Sequence, residues 1–396
     1  MDLYVLDNLL RRDTIIDTFK SVIWTERWNV YGDFELDIYS SLEARTLLTT
    51  GTMLACSRSY RVMVVETVEN DTDADGAKIL KVTGRSLESV MQDRVAMVSL
   101  TDTTTTPKWT ITGLPAGIIR KIFHDICITG TLSTADIIPF AVEDTFMTES
   151  TIAEPIDTLT VEMEPTTVYD AITQLCNTWA LGFRLLRQDD TSKLYWDVYA
   201  DNDRTTAQTT LSPVVFSPQL DNLQNTKELN SIDQAKNVAY VFSPAGYQTV
   251  YANGVDPDVE GFDRRVLVVN ATDISIQYEE DGVTPIDQTA TIIQRGLDEL
   301  ANYRAVQSLD GEISQSSQYV YGRDFELGDI VEERGSDGTA NYMRVTEQIF
   351  AQDENGERSY PTLTINTFVS TGSWLSWPNN RVWPDFDETE FWATQP

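Results

Sequence analysis

Phe325-Glu-Leu-Gly328-Asp-Ile-Val331, a polar turn at Arg334-Gly-Ser-Asp-Gly338, Tyr342-Met-Arg-Val-Thr-Glu-Gln-Ile-Phe350, an acidic turn at Asp353-Glu-Asn-Gly356-Glu, and Thr362-Leu-Thr-Ile-Asn366 form one continuous pattern. Short alternating runs rich in Val, Ile, Thr and Tyr, cut by Gly and Asp turns, predict an antiparallel meander with one wet face. Such a meander makes half of a small β-barrel.

The pattern occurs twice. Near the N-terminus stand Gly51-Thr-Met-Leu54, Tyr60-Arg-Val-Met-Val-Val-Glu-Thr-Val68, the acidic turn Asn70-Asp-Thr-Asp-Ala-Asp-Gly76, and Ile79-Leu-Lys-Val-Thr83. By residue type Gly51 matches Gly328, Tyr60 matches Tyr342, and Glu66-Thr-Val68 matches Glu347-Gln-Ile349. Solenoid repeats adjoin one another, and these copies lie far apart. The expectation is one chain with two related barrels; the alternative is two unrelated meanders that share short β-patterns.

The chain has 396 residues, room for two to four domains with sizeable cores. Its 62 acidic residues against 29 Lys and Arg give a formal net charge of −33. Phosphate binding is carried by Lys and Arg, so this balance argues against wrapping nucleic acid or docking on an anionic membrane, though acidity can also serve solubility alone. Cys56, Cys127 and Cys176 are scattered without a CxxC, which predicts buried thiols and neither disulfides nor zinc. Residues 1–19 place Arg11 and Arg12 behind the apolar stretch and carry four Asp, which is not the order of a secretory signal. No run approaches 18 consecutive apolar residues, so no membrane-spanning segment is expected.

Residues 1–100 read as the first barrel, with an aromatic hairpin over Val22 to Ile38 and a short closing helix from Gly84 to Met91. Thr101 to Pro107 reads as a linker. Residues 101–205 then change period and read as an α+β domain. Pro115 to Ile128 puts Ile118, Ile119, Ile122, Phe123 and Ile126 on one helical face. A second helix opens on a Thr167/Asp170 capping box and ends at Gly182, and a hairpin joins Phe183–Leu186 to Leu194–Tyr199. The second barrel is expected over 206–245 with 305–370, including the strand Asn237 to Phe242. An α/β insertion over 246–304 interrupts it, with a strand at Arg265–Val269 and a helix opened by Thr284-Pro285-Ile-Asp287. Residues 371–396 form a Trp/Pro-rich tail.

With Gly328-Asp-Ile-Val331 and Trp24-Thr-Glu-Arg-Trp28…Gly32-Asp-Phe-Glu-Leu36, the order of barrel, α+β unit and interrupted barrel resembles the siphophage tail proteins of the Gp37-like family, over roughly residues 1 to 370. That family is similar in turn to the baseplate hub proteins of contractile-tail phages. The resemblance implies a structural, non-enzymatic homotrimer at the virion tail tip, assembled in the host cytoplasm. Its two barrels per chain would give a ring of six, seated on the distal tail protein and tail tube on one side and on a tip, fibre or tape-measure protein on the other. DNA would pass through its lumen during ejection. Duplication in a trimer is a physical route from threefold to sixfold symmetry, and an acidic bore would not hold phosphates.

No cofactor is expected. Asp71, Asp73 and Asp75 match the first half of an EF-hand loop, but Val82 occupies the position of the bidentate Glu and no helix flanks it, so a hairpin turn is the reading and no metal is expected. Asp256, Asp258 and Glu260 read as a solvated acidic loop. His124, the sole histidine, stands beside Asp125 on a polar helix face, where adjacent side chains point apart, and no catalytic-serine or catalytic-cysteine context accompanies it. A wall-degrading glycoside hydrolase is the enzymatic alternative; it requires two carboxylates about 5 to 10 Å apart in an aromatic cleft, one with a raised pKa. Trp374, Trp377, Trp383 and Trp392 belong to a terminus that either folds back on its own chain or reaches a neighbour, which makes them candidate partner-docking residues, and they also leave open a carbohydrate-binding receptor module.

Overall fold

The computed structural model describes residues 1–72, 78–100, 107–143, 159–188, 192–252, 254–279, 283–304, 306–313, 319–334 and 340–364. These fall into two compact units: Met1–Glu228 with Ser308–Thr364, and Leu229–Gln307.

The first unit opens with β1 (Leu3–Leu6), β2 (Arg12–Ile16), β3 (Ser21–Arg27), β4 (Asp33–Tyr39), helix α1 (Leu42–Leu47), β5 (Met53–Cys56), β6 (Met63–Thr72) and β7 (Lys78–Ser86). The β3–β4 hairpin is the one the aromatic alternation predicts. Phe34, Leu36 and Ile38 point into the core with Val22 and Trp24, while Glu35 and Tyr39 face out. Past Ser86 the chain tightens into a 3-10 helix, Leu87–Asp93, shorter than the expected helix because β7 runs on through Ser86.

β8 (Trp109–Gly113), α2 (Pro115–Phe123), β9 (Ala141–Val142), β10 (Leu159–Met163), α3 (Val168–Trp179), β11 (Gly182–Gln188) and β12 (Lys193–Tyr199) follow. Pro115 occupies the first turn of α2, where its missing N–H costs nothing. α2 buries Ile118, Ile119, Ile122 and Phe123, and Phe123 stacks on Trp196 of β12 at 4.0 Å. α3 starts as predicted: Asp170 N donates to Thr167 Oγ1 at 2.9 Å. Its end differs. The left-handed residue is Ala180 (φ 54°), while Gly182 already begins β11. Each fully buried Ile, Leu or Val on these faces contributes about 1.5–3 kcal/mol.

β13 (Val215–Phe216) and β14 (Leu223–Ser231) lead out of the first unit, and the second unit holds β15 (Val238–Ser243), β16 (Gly246–Tyr251), β17 (Val266–Asn270) and α4 (Thr289–Ala301). β15, expected in the second barrel, instead pairs antiparallel to β16 and parallel to β17, since its alternate residues Ala239 and Val241 complete this unit's own core. α4 begins five residues later than Thr284. Tyr278 and Pro285 form an isolated bridge, and the Asp287 carboxylate accepts from Thr289 N at 2.9 Å, so the chain is still extended where the proline suggested a helix. Its buried face is accordingly Ile292, Gly296 and Leu300, with Ile286 and Ile293 exposed. A side chain at Gly296 would meet Val250 at 2.7 Å, so only glycine permits this helix–sheet approach.

The first unit resumes with β18 (Val306–Ile313), β19 (Ile330–Arg334), β20 (Ala340–Asp353) and β21 (Gly356–Thr364). The fold is β-rich α+β, but its sheets do not close into barrels. One thirteen-stranded sheet runs β14-β18-β21-β20-β3-β4-β7-β6-β5-β1-β2, with β19 and β13 branching from β20. The reason lies in β20. It outruns its partner β19 and offers Glu347–Gln352 to β3, so the strand joins the other repeat where a barrel would close on itself.

No helix among the described residues is long and apolar enough to cross a membrane.

Candidate functional site

The two meanders are the same object in detail. In β6–β7 the register shifts between Val65 and Thr67, and in β20–β21 it shifts between Val345 and Glu347. Each bulge leaves one extra residue, Glu66 or Thr346, whose side chain reaches the equivalent cross-strand position: Glu66 accepts from Arg85 Nε at 2.8 Å, and Thr346 Oγ1 lies 3.0 Å from Thr364 Oγ1. Ahead of each bulge a left-handed glycine donates to the valine carbonyl, Gly51 to Val65 O at 2.7 Å and Gly328 to Val345 O at 2.8 Å. The valine amide returns a bond to the residue after the glycine, Thr52 at 2.8 Å or Asp329 at 3.0 Å. Bulges are specific features that re-aim a strand, so their recurrence at one point marks a true structural repeat. The register corrects the match by residue type: Thr67, not Glu66, holds the place of Glu347, and Val62, not Tyr60, that of Tyr342.

The repeats meet at a seam. β3 pairs with β20 from Arg27↔Glu347 to Val22↔Gln352. Trp28 N donates to Thr346 O at 3.0 Å, Arg27 Nε lies 2.9 Å from Glu347 Oε1, and Phe350 is buried in the core of the first repeat beside Trp24.

Around the seam sits a set of buried charges. The Arg344 guanidinium lies 4.1 Å from the centre of the Trp28 ring, donates to Gly328 O at 2.8 Å and reaches Asp201 at 3.1 Å. Burial holds the Arg344 pKa below the usual arginine value. Asp329, almost wholly buried, accepts from Arg204 Nε at 2.8 Å, from Asn202 Nδ2 at 3.0 Å and from Glu326 N at 3.0 Å. These bonds tie the bulge of the second repeat to the segment that follows β12.

On the other side a cavity of about 380 Å³ is lined by Arg12, Arg58, Arg61, Arg184, Glu26 and Glu326, with tyrosines including Tyr199 and Tyr321. Burial pushes the Glu26 carboxyl above its usual range, although Arg61 opposes the shift. One Glu26 oxygen accepts from Ser59 and the other from Tyr321 at 2.9 Å. Arg61 donates to Arg27 O at 2.7 Å and forms a long ion pair of 3.4 Å with Glu88, which itself accepts from Leu185 N at 3.0 Å. Glu326 is held by Arg184 at 3.0 Å, and that guanidinium also lies 4.4 Å from the centre of the Tyr199 ring. A raised carboxyl among tyrosines is part of what a glycosidase would need. Both oxygens of Glu26 are already engaged, however, and Glu326 is ion-paired, so the arrangement staples charge into the fold.

The predicted site residues are dispersed. Asp71 lies on β6, accepts from its neighbour Thr72 N at 2.8 Å and stands 3.4 Å from Lys81 across the hairpin. Asp73, Asp75 and the tail tryptophans Trp374, Trp377, Trp383 and Trp392 lie outside the described residues, as does nearly all of the linker from Thr101. Among the described residues no three His, Cys, Asp or Glu side chains gather to hold a metal. Asp256 accepts from Asp258 N at 2.8 Å, as in a local turn. His124 and Asp125 do touch, Nδ1 to Oδ1 at 3.2 Å, at the point where the helix passes into π-winding over His124–Ile128. The three cysteines are buried, and burial raises each thiol pKa. Arg61, Arg344, Glu26 and Glu88 belong to no catalytic or metal-binding sequence motif. The available signal was a charged residue lodged inside an apolar β-run, as in Met343-Arg344-Val345.

The family model described as Siphovirus ReqiPepy6 Gp37-like protein matches residues 2–363. None of the curated proteins matches the sequence. Among solved structures, the tail protein from Neisseria meningitidis MC58 aligns at a TM-score of 0.55 and 11% identity, covering 93% of this chain and 97% of that one. The 43 kDa tail protein of prophage MuSo2 from Shewanella oneidensis aligns at a TM-score of 0.54 and 13% identity, covering 92% and 98%. At these identities the likeness is one of fold.

Proposed function

Since the chain belongs to the Siphovirus ReqiPepy6 Gp37-like family, and is on that ground a structural siphophage tail protein and not an enzyme, we propose that it is the hub of the tail tip. Three copies form a ring that joins the tail tube, through the distal tail protein, to a tip, fibre or tape-measure protein beyond. DNA passes through the ring during ejection. On this reading the ring is assembled in the host cytoplasm and stays at the tip of the virion.

The observation that carries the proposal is the repeat itself. A bulge, a left-handed glycine and a five-strand order recur in one chain, and the two copies share one sheet. A closed ring needs the same surface presented around its axis, and two equivalent surfaces per chain let three chains present six. We read residues 1–100, and residues 206–231 together with 305–370, as the two ring-forming domains, the residues between 101 and 205 as the layer that braces them, and the tail after 371 as a docking element. The formal charge of −33 suits a bore through which phosphate passes without being held.

Light scattering of the purified chain, together with end-on particle images, tests the reading. A three-copy annulus supports it. A monomer that clears peptidoglycan in a zymogram would instead favour the glycoside hydrolase, and loss of host adsorption on truncation after Thr371 would favour a sugar-binding tail.

A further inference from the structure

The two repeats are equivalent in strand order, β3-β4-β7-β6-β5 against β14-β18-β21-β20-β19, yet they are not equally paired. β4 and β18 hold the same register against the bulge: Phe34↔Gly84 lies beside Val65 as Leu309↔Leu363 lies beside Val345. β14 is therefore the counterpart of β3, and β6 the counterpart of β20. The seam uses one edge of β20, Glu347–Gln352, and the free side of β3. The corresponding edge of β6, Thr67–Thr72, has β7 on one side and no strand on the other among the described residues. β14 stands at the end of the sheet, with β18 as its neighbour.

Each chain thus carries one closed seam and the two unmatched halves of another. An open strand edge is a template for a further strand, and its amides and carbonyls favour pairing over exposure. We propose that these halves belong together across copies: the Thr67–Thr72 edge of β6 pairs antiparallel with β14 of the next chain, repeating the β3–β20 seam. This rests on the hub reading and gives it an interface. The contact is head to tail, so it must either close or grow without limit, and closure at three chains makes six seams, three within chains and three between them. The carbonyl of Glu66, counterpart of Thr346, then accepts from an amide of the next chain the bond that Trp28 N gives to Thr346 O within the chain.

The inter-chain seam is the weaker of the two. Thr67 stands where Glu347 pairs with Arg27, and Asn70 stands where Phe350 fills the first repeat's core. It lacks both the ion pair and the aromatic anchor, so it forms on assembly, after each chain has folded.

The experiment uses the full chain carrying Glu69→Cys or Asn70→Cys, combined in turn with a cysteine at each position of Leu223–Glu228. The three native cysteines are buried and give little background. Oxidation at one register should yield covalent dimers and trimers on a denaturing gel, and amide exchange over residues 67–72 should slow by at least about tenfold in the particle relative to dilute chain. A three-copy particle with no cross-link at any register and rapid exchange over 67–72 overturns this seam and leaves the hub reading standing. A chain that remains monomeric at every concentration overturns both.

Discussion

Gly51 and Gly328 occupy one position in two copies of the same bulge. Their φ angles are +88° and +94°, and each donates to the carbonyl of the valine before the extra residue, at 2.7 and 2.8 Å. Their surroundings differ. A Cβ at Gly51 would meet nothing within 4 Å, whereas one at Gly328 would meet the Trp28 indole at 2.8 Å and Tyr199 at 3.1 Å. Gly51→Ala should therefore cost only the left-handed backbone strain, about 1–2 kcal/mol. Gly328→Ala adds overpacking of about 1–3 kcal/mol. Denaturant unfolding of the two variants should rank them in that order.

The α3–β11 junction makes the opposite pair. Ala180 holds φ at 54°, so Ala180→Gly should relieve strain and raise stability by about 0.5–1 kcal/mol. Gly182 lies against Trp28 and Tyr199, where a Cβ would meet the indole nitrogen at 2.3 Å. Gly182→Ala should lower stability by about 1–3 kcal/mol, measured by the same unfolding curves.

Glu26 controls a pH dependence. Burial raises its pKa above the ordinary 4.5, so the folded chain keeps a proton that the unfolded chain releases, and this group's contribution to stability falls as pH rises above about 4.5. Glu26→Gln should flatten that decline while leaving the Arg61–Glu88 pair in place. A Tm-against-pH slope identical to that of the parent chain would contradict it.

At the seam, Phe350 belongs by sequence to the second repeat and by burial to the first. Phe350→Ala should cost about 3–5 kcal/mol. The half-buried Arg27–Glu347 pair should show a coupling of only about 0.2–1 kcal/mol in a double-mutant cycle. The aromatic, not the ion pair, holds the repeats together.

What the sequence disclosed was local. The aromatic hairpin, the Thr167 cap, the buried face of α2 and the duplicated meander are each written in residues a few positions apart. The seam was not legible, because Trp24 and Phe350 are joined only once a strand outgrows its partner. Matching Glu66 to Glu347 was one residue out, since an alignment by residue type cannot see a bulge and a one-residue slip reverses every side chain. The alternation over Asn237–Phe242 does specify a strand, but period alone does not say which sheet receives it. The buried charges were hidden for a related reason. Arg61 and Glu88 find each other through the fold, and a charge beside an apolar run, as in Arg61-Val62-Met63, does not name its partner.

The most direct test of the central claim is the mass and rotational symmetry of purified particles viewed along their axis. The account predicts three chains per particle and a sixfold harmonic in the inner ring, from two equivalent repeats in each of three chains. A particle of three chains whose inner ring shows threefold density only, or a chain that forms no ring, would contradict it.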